Sequence, residues 1–559
     1  MRLSAAQPLA ALRLRGRDSG ERAGAGSEND TEAKALAGDR PKSPRLWPAL
    51  IACLAIAALT LLLPATPTYD PWAWILWGRE ITQLDLVTNG GPSWKPLPVV
   101  FTTVFALFGD DAAPLLWLWI ARAGGLLSLV MAFRLARRFL EPGIAGVVGG
   151  VLGAAFLATG YNYSRDAALG NSEPLLAALG LWAFERHLDG RRDHAFYLAF
   201  AVALLRPEAW PFLGLYGLWL LVREPAMRLR VVAGGLLIPV LWFGPELWGS
   251  GDALRASTRA NDPNPQSAAF AAHPGLEVAY RFHIRTIWPI EAAAAVGLLV
   301  AVVAFVRERA QKPVLFLAGL GLAWLLLVCV MTEQGYAGNQ RYLIATTAAI
   351  CVLAGIGVGR IFQGIRAGVE RLSGNPRLGL AGAAAVFVLA LVALIPVISD
   401  KVDNTERVLD KLEYEASLWE ELPGVIEKAG GRDGLVRCGG VYSGPFQTQM
   451  VAYALDLHGE NIGTAQTPAP GVAFRTHTVP DGPLVARITD DRFRRITSNR
   501  RWIVATAPRA DAIGKTCPAA GPKAPRAPAK DYTPELVDGR DAFGLSIGRA
   551  PVGATTIFP

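Results

Sequence analysis

The sequence predicts a mainly α, polytopic membrane protein of about eleven transmembrane helices, with a small soluble α/β domain at the C-terminal end. Three observations predict it. The 559 residues are 52% hydrophobic and only 18% charged, with a mean hydropathy of +0.29, too apolar for a chain whose whole surface meets water. Long apolar runs recur between residues 46 and 398, and across hydrocarbon a helix satisfies its own backbone groups. Arginine and lysine collect in alternate loops, the pattern of segments retained on the cytoplasmic side.

Residues 1–44 are rich in Arg, Ala, Gly, Ser, Glu and Asp without apolar periodicity, and are expected to form a disordered cytoplasmic arm. A cleaved secretory signal is not expected, because the positive stretch is too long and cleavage would invert every later loop. Residues 45–400 form the expected transmembrane domain, with spans near 46–64, 112–133, 143–160, 173–185, 195–206, 208–222, 231–248, 287–306, 313–331, 342–360 and 378–398. The fourth to sixth of these are short. With the N-terminus inside, Arg134, Arg137 and Arg138 share a cytoplasmic loop, as do Arg186, Arg191 and Arg192, and then Arg223, Arg228 and Arg230. Arg307, Arg309 and Lys312 fall in the next such loop, and Arg360, Arg366, Arg371 and Arg377 in the last. Topology thus accounts for most of the net charge of +8 and leaves no reason to invoke nucleic acid. The chain is expected in the cell membrane, with its C-terminal domain outside the cytoplasm.

The loop between the first two spans is long enough to need structure of its own. Trp72, Trp74, Trp77, Ile81, Leu84 and Leu86 form one apolar stripe, and Val99, Val100, Phe101, Val104, Phe105 and Leu107 another. Two helices lying in the membrane interface suit both, because the indole ring is apolar while its N–H still reaches water.

Residues 401–559 open with a polar helix near 401–429, closed by Gly430 and Gly431. GLVRCGGVYSG and RRWIVATA read as strands, with a helical FQTQMVAYALDLHG between them. The Pro and Ala run over 518–529 reads as a loop. Cys53, Cys329 and Cys351 fall in spans and read as packing residues, whereas Cys438 and Cys517 lie in an oxidising compartment and are expected to pair. No spacing points to a metal site, and the six histidines are scattered.

Ionisable groups beside apolar spans are costly and are functional candidates for that reason. On the cytoplasmic side nearly all are topology arginines; outside, both signs cluster at span ends. The first loop carries Asp70, Arg79, Glu80 and Lys95, and GYNYSRDAALGNSEPLL carries Tyr161, Arg165, Asp166, Asn171 and Glu173. LLRPEAWP places Arg206 and Glu208 in a turn, and residues 249–286 hold Arg255, Arg259, Asp262, His273, Arg281, His283 and Arg285. TEQGYAGNQRYL supplies Glu333, Tyr336, Asn339, Gln340 and Arg341.

The long first external loop opening on Asp70, the KPLP turn at 95–98, the SRDAALGNSEPL segment and the RPE turn together resemble the membrane-embedded GT-C glycosyltransferases. Within that group the chain is most similar to bacterial relatives of protein O-mannosyltransferases and aminoarabinose transferases, families 39 and 83, over roughly residues 46–400. Two features depart from the pattern: Asp70 is followed by Pro71, with no acidic neighbour until Glu80, and KPLP has one proline displaced relative to KPPL. The resemblance implies a polyprenyl-phosphate sugar donor, an envelope glycan, lipid or protein as acceptor, membrane lipid around the spans and no cofactor, with divalent metal left open.

Such a transfer needs a base for the acceptor hydroxyl, and one carboxylate suffices for inversion. Asp70 is the candidate, against a competing role as N-cap of the helix that Pro71 would start. A phosphate leaving group calls for fixed cations, with Arg341 first, then Arg206, Lys95, Arg281 and Arg285, each of which is otherwise a snorkelling side chain or an ion-pair member. Glu80, Arg165, Asp166, Glu173, Glu208, Tyr336, Asn339 and Gln340 are candidates for orienting sugar or acceptor, while Arg165 with Asp166 and Arg206 with Glu208 could also simply neutralise each other. His273 and His283 read as solvated. A transporter or flippase would place charges near mid-membrane and show repeats or broken helices, and a non-catalytic scaffold leaves the crowded outer loops unexplained.

Overall fold

The computed structural model describes residues 45–263, 267–464, 467–480, 482–488 and 490–509, then Cys517, Pro518, Gly521, Ala524 and two strands over 536–540 and 546–551. The arm expected over 1–44 and most of the run 518–529 lie outside the described residues.

The first loop and its flanks run as α1 (Trp47–Thr60), α2 (Tyr69–Thr82), α3 (Pro96–Ala106), α4 (Ala112–Arg138), α5 (Ile144–Ala158) and α6 (Tyr163–Ala168). Next come α7 (Glu173–Leu188), α8 (Arg192–Ala203), α9 (Trp210–Arg223), α10 (Arg228–Ser250), α11 (Arg255–Ala260) and α12 (Pro274–Arg285). The bundle closes with α13 (Trp288–Glu308), α14 (Lys312–Glu333), α15 (Ile344–Ser373) and α16 (Pro376–Ala393). Among the described residues, six helices are long and apolar enough to cross a membrane, counting the turns that extend α10 and α15: Ala112–Arg138, Pro225–Ser250, Trp288–Glu308, Lys312–Glu333, Gln340–Ser373 and Pro376–Ala393. The chain is a multi-pass membrane protein.

The other five expected spans are helices too, but shorter: α1, α5, α7, α8 and α9 have 14, 15, 16, 12 and 14 residues. At about 1.5 Å per residue each falls short of the roughly 30 Å of hydrocarbon. Two of them are bounded by buried polar groups: α7 begins at Glu173, and α8 stops before Arg206.

Helix α15 is the axis of the bundle and packs on α5, α13 and α16. Glycine permits this: a Cβ on Gly355 would sit 2.4 Å from the Gly149 carbonyl oxygen, and one on Gly357 would sit 1.8 Å from that of Ala293. Small residues let membrane helices approach to backbone contact, where dispersion and packing drive association. Helix α16 is buried over only 11% of its apolar window and presents its side chains outward.

A single residue, Leu394, separates α16 from α17 (Ile395–Lys428), so a long polar helix leads directly out of the bundle. Gly430 and Gly431, at φ +108° and +80°, end it as expected. The strand expected over GLVRCGGVYSG is only half present: Arg432–Val436 is a short helix, α18, and β1 is confined to Gly440–Tyr442. Gly431 at positive φ allows the chain to turn straight into that new helix. Then follow α19 (Thr448–Leu455), β2 (Ile462–Gly463), β3 (Gly471–His477), β4 (Leu484–Val485), β5 (Arg494–Ser498) and β6 (Ile503–Ala507). The sheet order is β2-β1-β3-β6-β5 with β4 against β3, β1 parallel to both neighbours and β3 antiparallel to β6. Leu418, Leu422 and Val425 of α17 cover Val472, Phe474 and Val504, and Trp502 Nε1 donates to the Leu418 carbonyl at 2.7 Å. Cys438 and Cys517 are joined by a disulfide.

The tail shares one apolar cluster with α2, since Trp72, Trp74 and Trp77 belong to the same core as Leu418 and Val472. Trp72 meets Trp419 and Tyr453 at ring-centroid distances of 4.5 and 5.3 Å. The tryptophans of helix α2 therefore pack inside the protein and not on lipid or water: they are 0–1% exposed. Helix α3 instead leaves part of its apolar stripe open, with Val100 and Val104 half exposed.

Candidate active site

Helix starts deliver the polar side chains. Asp70 is the second residue of α2, whose N-cap is Thr68; the cap role considered for Asp70 is therefore not the one it takes. Lys95 is the N-cap of α3, with Pro96 starting the helix. Ser172 is the N-cap and Glu173 the first residue of α7, Arg206 precedes the 3-10 turn Pro207–Ala209, and Arg341 lies in the 3-10 turn Gln340–Leu343 that leads into α15. Proline suits these positions because a first-turn N–H has no partner within the helix anyway. Orphan N–H groups and positive dipole ends are thereby concentrated on one region.

The side chains form a buried network. Arg341 Nη2 pairs with Asp70 Oδ2 at 2.9 Å. Lys95 Nζ donates to Ser172 Oγ at 3.0 Å, lies 3.4 Å from Glu173 Oε1 and sits 5.0 Å from the Trp74 ring centre. Arg206 makes a close ion pair with the same Glu173 oxygen and lies 3.5 Å from Glu208 Oε1, to which the Tyr336 hydroxyl donates at 2.9 Å. The Arg206 guanidinium stacks 3.9 Å over the Tyr342 ring. Lys95, Arg206 and Arg341 balance Asp70, Glu173 and Glu208, which is what makes burying six such groups tolerable. Several polar atoms here are buried with no partner in the protein: Nε and Nη1 of Arg341, Nε of Arg206, and the second oxygens of Glu173 and Glu208. An unsatisfied buried donor or acceptor costs about 1–3 kcal/mol, so the site is arranged for an occupant that supplies acceptors to the arginines and donors to the carboxylates. Burial lowers Lys95 to about 8, against the opposing pull of Glu173.

A cavity of ≈ 890 Å³ is lined by Asp70, Lys95, Arg206, Arg341, Tyr336, Asn339 and Tyr342, and reaches α11 and the tail. A second cavity of ≈ 40 Å³ lies on the other side of Arg341, bordered by Asp166, Glu173, Arg285 and Gln340. Asp166 accepts from Asn171 Nδ2 at 2.9 Å, and its carboxyl is pushed up to about 6 by burial and then by the nearby Glu173. Arg285 covers the Tyr161 ring at 4.3 Å, and Asn339 Nδ2 donates to the Tyr342 hydroxyl at 3.1 Å.

Three candidates stand apart from this network. Glu80, at the far end of α2, pairs with His458 of the tail at 2.9 Å and accepts from the Val87 amide at 3.0 Å. Burial raises its carboxyl to about 7. Arg165 bonds Glu415 of α17 at 2.8 Å, so it ties the bundle to the tail. Arg281 pairs with Glu277 one turn earlier at 2.6 Å and borders neither cavity. His283 lies 2.8 Å from Glu291.

Sequence reasoning missed Ser172 and Tyr342, although each is adjacent to a candidate and adjacency was a usable signal. It also missed the clamp on the first loop, in which the fully buried Glu246 accepts from Thr88 at 2.8 Å and from Arg255 at 2.7 and 2.9 Å. The tail's part in the cavity had no local signal. Among the described residues no group of three or more His, Cys, Asp or Glu is arranged to hold a metal ion.

No family model matches the chain, and no curated protein matches it. The structure is similar to crystal structures of ArnT from Cupriavidus metallidurans. One, bound to undecaprenyl phosphate, aligns with a TM-score of 0.47 and 14% sequence identity, covering 83% of this chain and 98% of that chain. The apo state aligns with a TM-score of 0.47 and 14% identity, covering 82% and 97%.

Proposed function

We propose that this protein is an inverting glycosyltransferase that moves a sugar from a polyprenyl-phosphate donor to an acceptor on the outer face of the membrane. The observation that carries this reading is the Asp70–Arg341 contact at 2.9 Å in the wall of a cavity that Lys95 and Arg206 also line. A carboxylate and three cations in one chamber match a proton acceptor beside a phosphate leaving group. The acceptor O–H attacks the anomeric carbon and passes its proton to Asp70. As the new C–O bond forms, the bond from that carbon to the phosphate oxygen breaks, and its electron pair stays on the phosphate. One displacement at one carbon inverts its configuration. Arg341 has the geometry to serve both ends, because Nη2 holds Asp70 while Nε and Nη1 remain for phosphate oxygens.

One feature supports an enzyme over a transporter: the network includes a carboxylate bordering a chamber large enough for a sugar and part of a second substrate. The test is to incubate the purified full chain with a panel of polyprenyl-phosphate sugars, each with an oligosaccharide, a glycolipid and a peptide as acceptor, and follow release of polyprenyl phosphate. Release from one donor with inverted product is expected; the absence of release from every donor would defeat the proposal.

A further inference from the structure

The large cavity is lined by two unlike sets of side chains. One is Lys95, Arg206 and Arg341 of the buried network. The other is Asn89 and Trp94 of the first loop, Asn261 just past α11, and Phe446, Thr448 and Glu460 of the tail. Within the second set's surroundings Arg259 pairs with Asp262 at 3.4 Å. What remains is amide, hydroxyl and carboxylate beside aromatic faces. Asn and Thr both donate and accept hydrogen bonds, as a sugar hydroxyl does, and aromatic faces take the apolar C–H face of a pyranose while the rim satisfies its hydroxyls.

The tail is locked in place as a wall of this chamber. Gln449 Nε2 donates to the Gly90 carbonyl at 2.6 Å, and a Cβ on Gly90 would stand 2.1 Å from the Glu460 nitrogen, so the tail backbone lies flush on the first loop. Tyr69, the neighbour of Asp70, meets Gln449 and Thr448. We infer that the acceptor is a carbohydrate hydroxyl, and that the tail segment 445–464 and the 257–262 segment together form the acceptor subsite. This rests on the transferase reading and narrows it. A phosphorylated lipid headgroup would call for unpaired cations beside Asn261, Thr448 and Glu460, where Arg259 is instead paired with Asp262, and an extended peptide would need a longer free strand than the two-residue edge β2.

The test uses the full chain, wild type and the variants Phe446→Ala and Glu460→Gln, with three probes: a neutral oligosaccharide, a Ser/Thr-containing peptide and a phosphorylated glycolipid in detergent micelles. Oligosaccharide binding, read without donor by tryptophan fluorescence, is expected for wild type and weakened about tenfold by Phe446→Ala. With donor present, transfer goes to the oligosaccharide, the acceptor KM rises about tenfold in each variant and the donor KM stays unchanged. Failure of wild type to bind any oligosaccharide, preferential transfer to the peptide or glycolipid, or an acceptor KM indifferent to both substitutions would each overturn the inference. Oligosaccharide binding without release from any lipid-linked sugar would instead defeat the transferase reading and leave the carbohydrate subsite standing.

Discussion

Lys95 is where burial and chemistry oppose each other most directly. Its ammonium is enclosed by Trp74, Ser172 and Glu173, and desolvation lowers it to about 8. The protonated form is the one that holds phosphate, so donor binding is intact below pH 8 and decays above it. The donor KM should rise about tenfold per pH unit beyond that point, and Lys95→Arg should move the rise out of the measured range because a guanidinium does not titrate there. A KM flat to pH 9.5 in the wild type would remove Lys95 from the phosphate site. At this scale much was legible in the sequence: Asp70, Lys95, Glu173, Arg206, Glu208, Tyr336 and Arg341 stand out because a polar group at the edge of an apolar run needs a reason to be there. Glu80 and Arg281 stood out for the same reason and do other work, because a position beside a span does not say which way a side chain faces.

Helix α2 carries the site at one end and the tail contact at the other. Glu80 sits with His458 Nδ1 at 2.9 Å, Asp85 lies 3.4 Å from the same ring, and Arg79 reaches Asp456 at 3.4 Å and stacks 4.4 Å over Tyr453. Burial raises Glu80 from its ordinary 4.5 to about 7. A carboxyl raised on folding contributes stability that is fully present below pH 4.5 and is lost as pH rises through 7. Docking of the tail on α2 should therefore loosen across that window, seen as faster hydrogen exchange over 445–464 after correction for intrinsic rates. Glu80→Gln should flatten the dependence, and an unchanged pH profile in that variant would show that another group governs it. The sequence disclosed the tryptophan stripe of α2 but not its partner, since a stripe that packs on lipid and one that packs on protein have the same periodicity.

At the scale of the whole molecule, the bundle and the tail act as one structure. Their shared core runs from Trp72 to Val472, α17 continues α16 almost without interruption, and Arg165 is tied to Glu415 across 250 residues of chain. The disulfide Cys438–Cys517 closes a loop of 79 residues in the tail. Cys438→Ser should cost about 2–5 kcal/mol of tail stability, measured as a lower unfolding midpoint of the tail, and should lower transfer because the tail walls the cavity. Loss of the tail's midpoint with transfer intact would mean that the wall is dispensable. The multi-pass character was readable from composition and apolar runs, whereas span lengths and the tail's place over the site depend on contacts between residues hundreds of positions apart.

The most direct test of the central claim compares wild type and Asp70→Asn on one active lipid-linked donor. Polyprenyl-phosphate release and donor binding are measured on the same preparations. A rate lower by about 10²–10⁴-fold with donor affinity retained is expected when a positioned base is removed. Release at the wild-type rate from Asp70→Asn would contradict that claim.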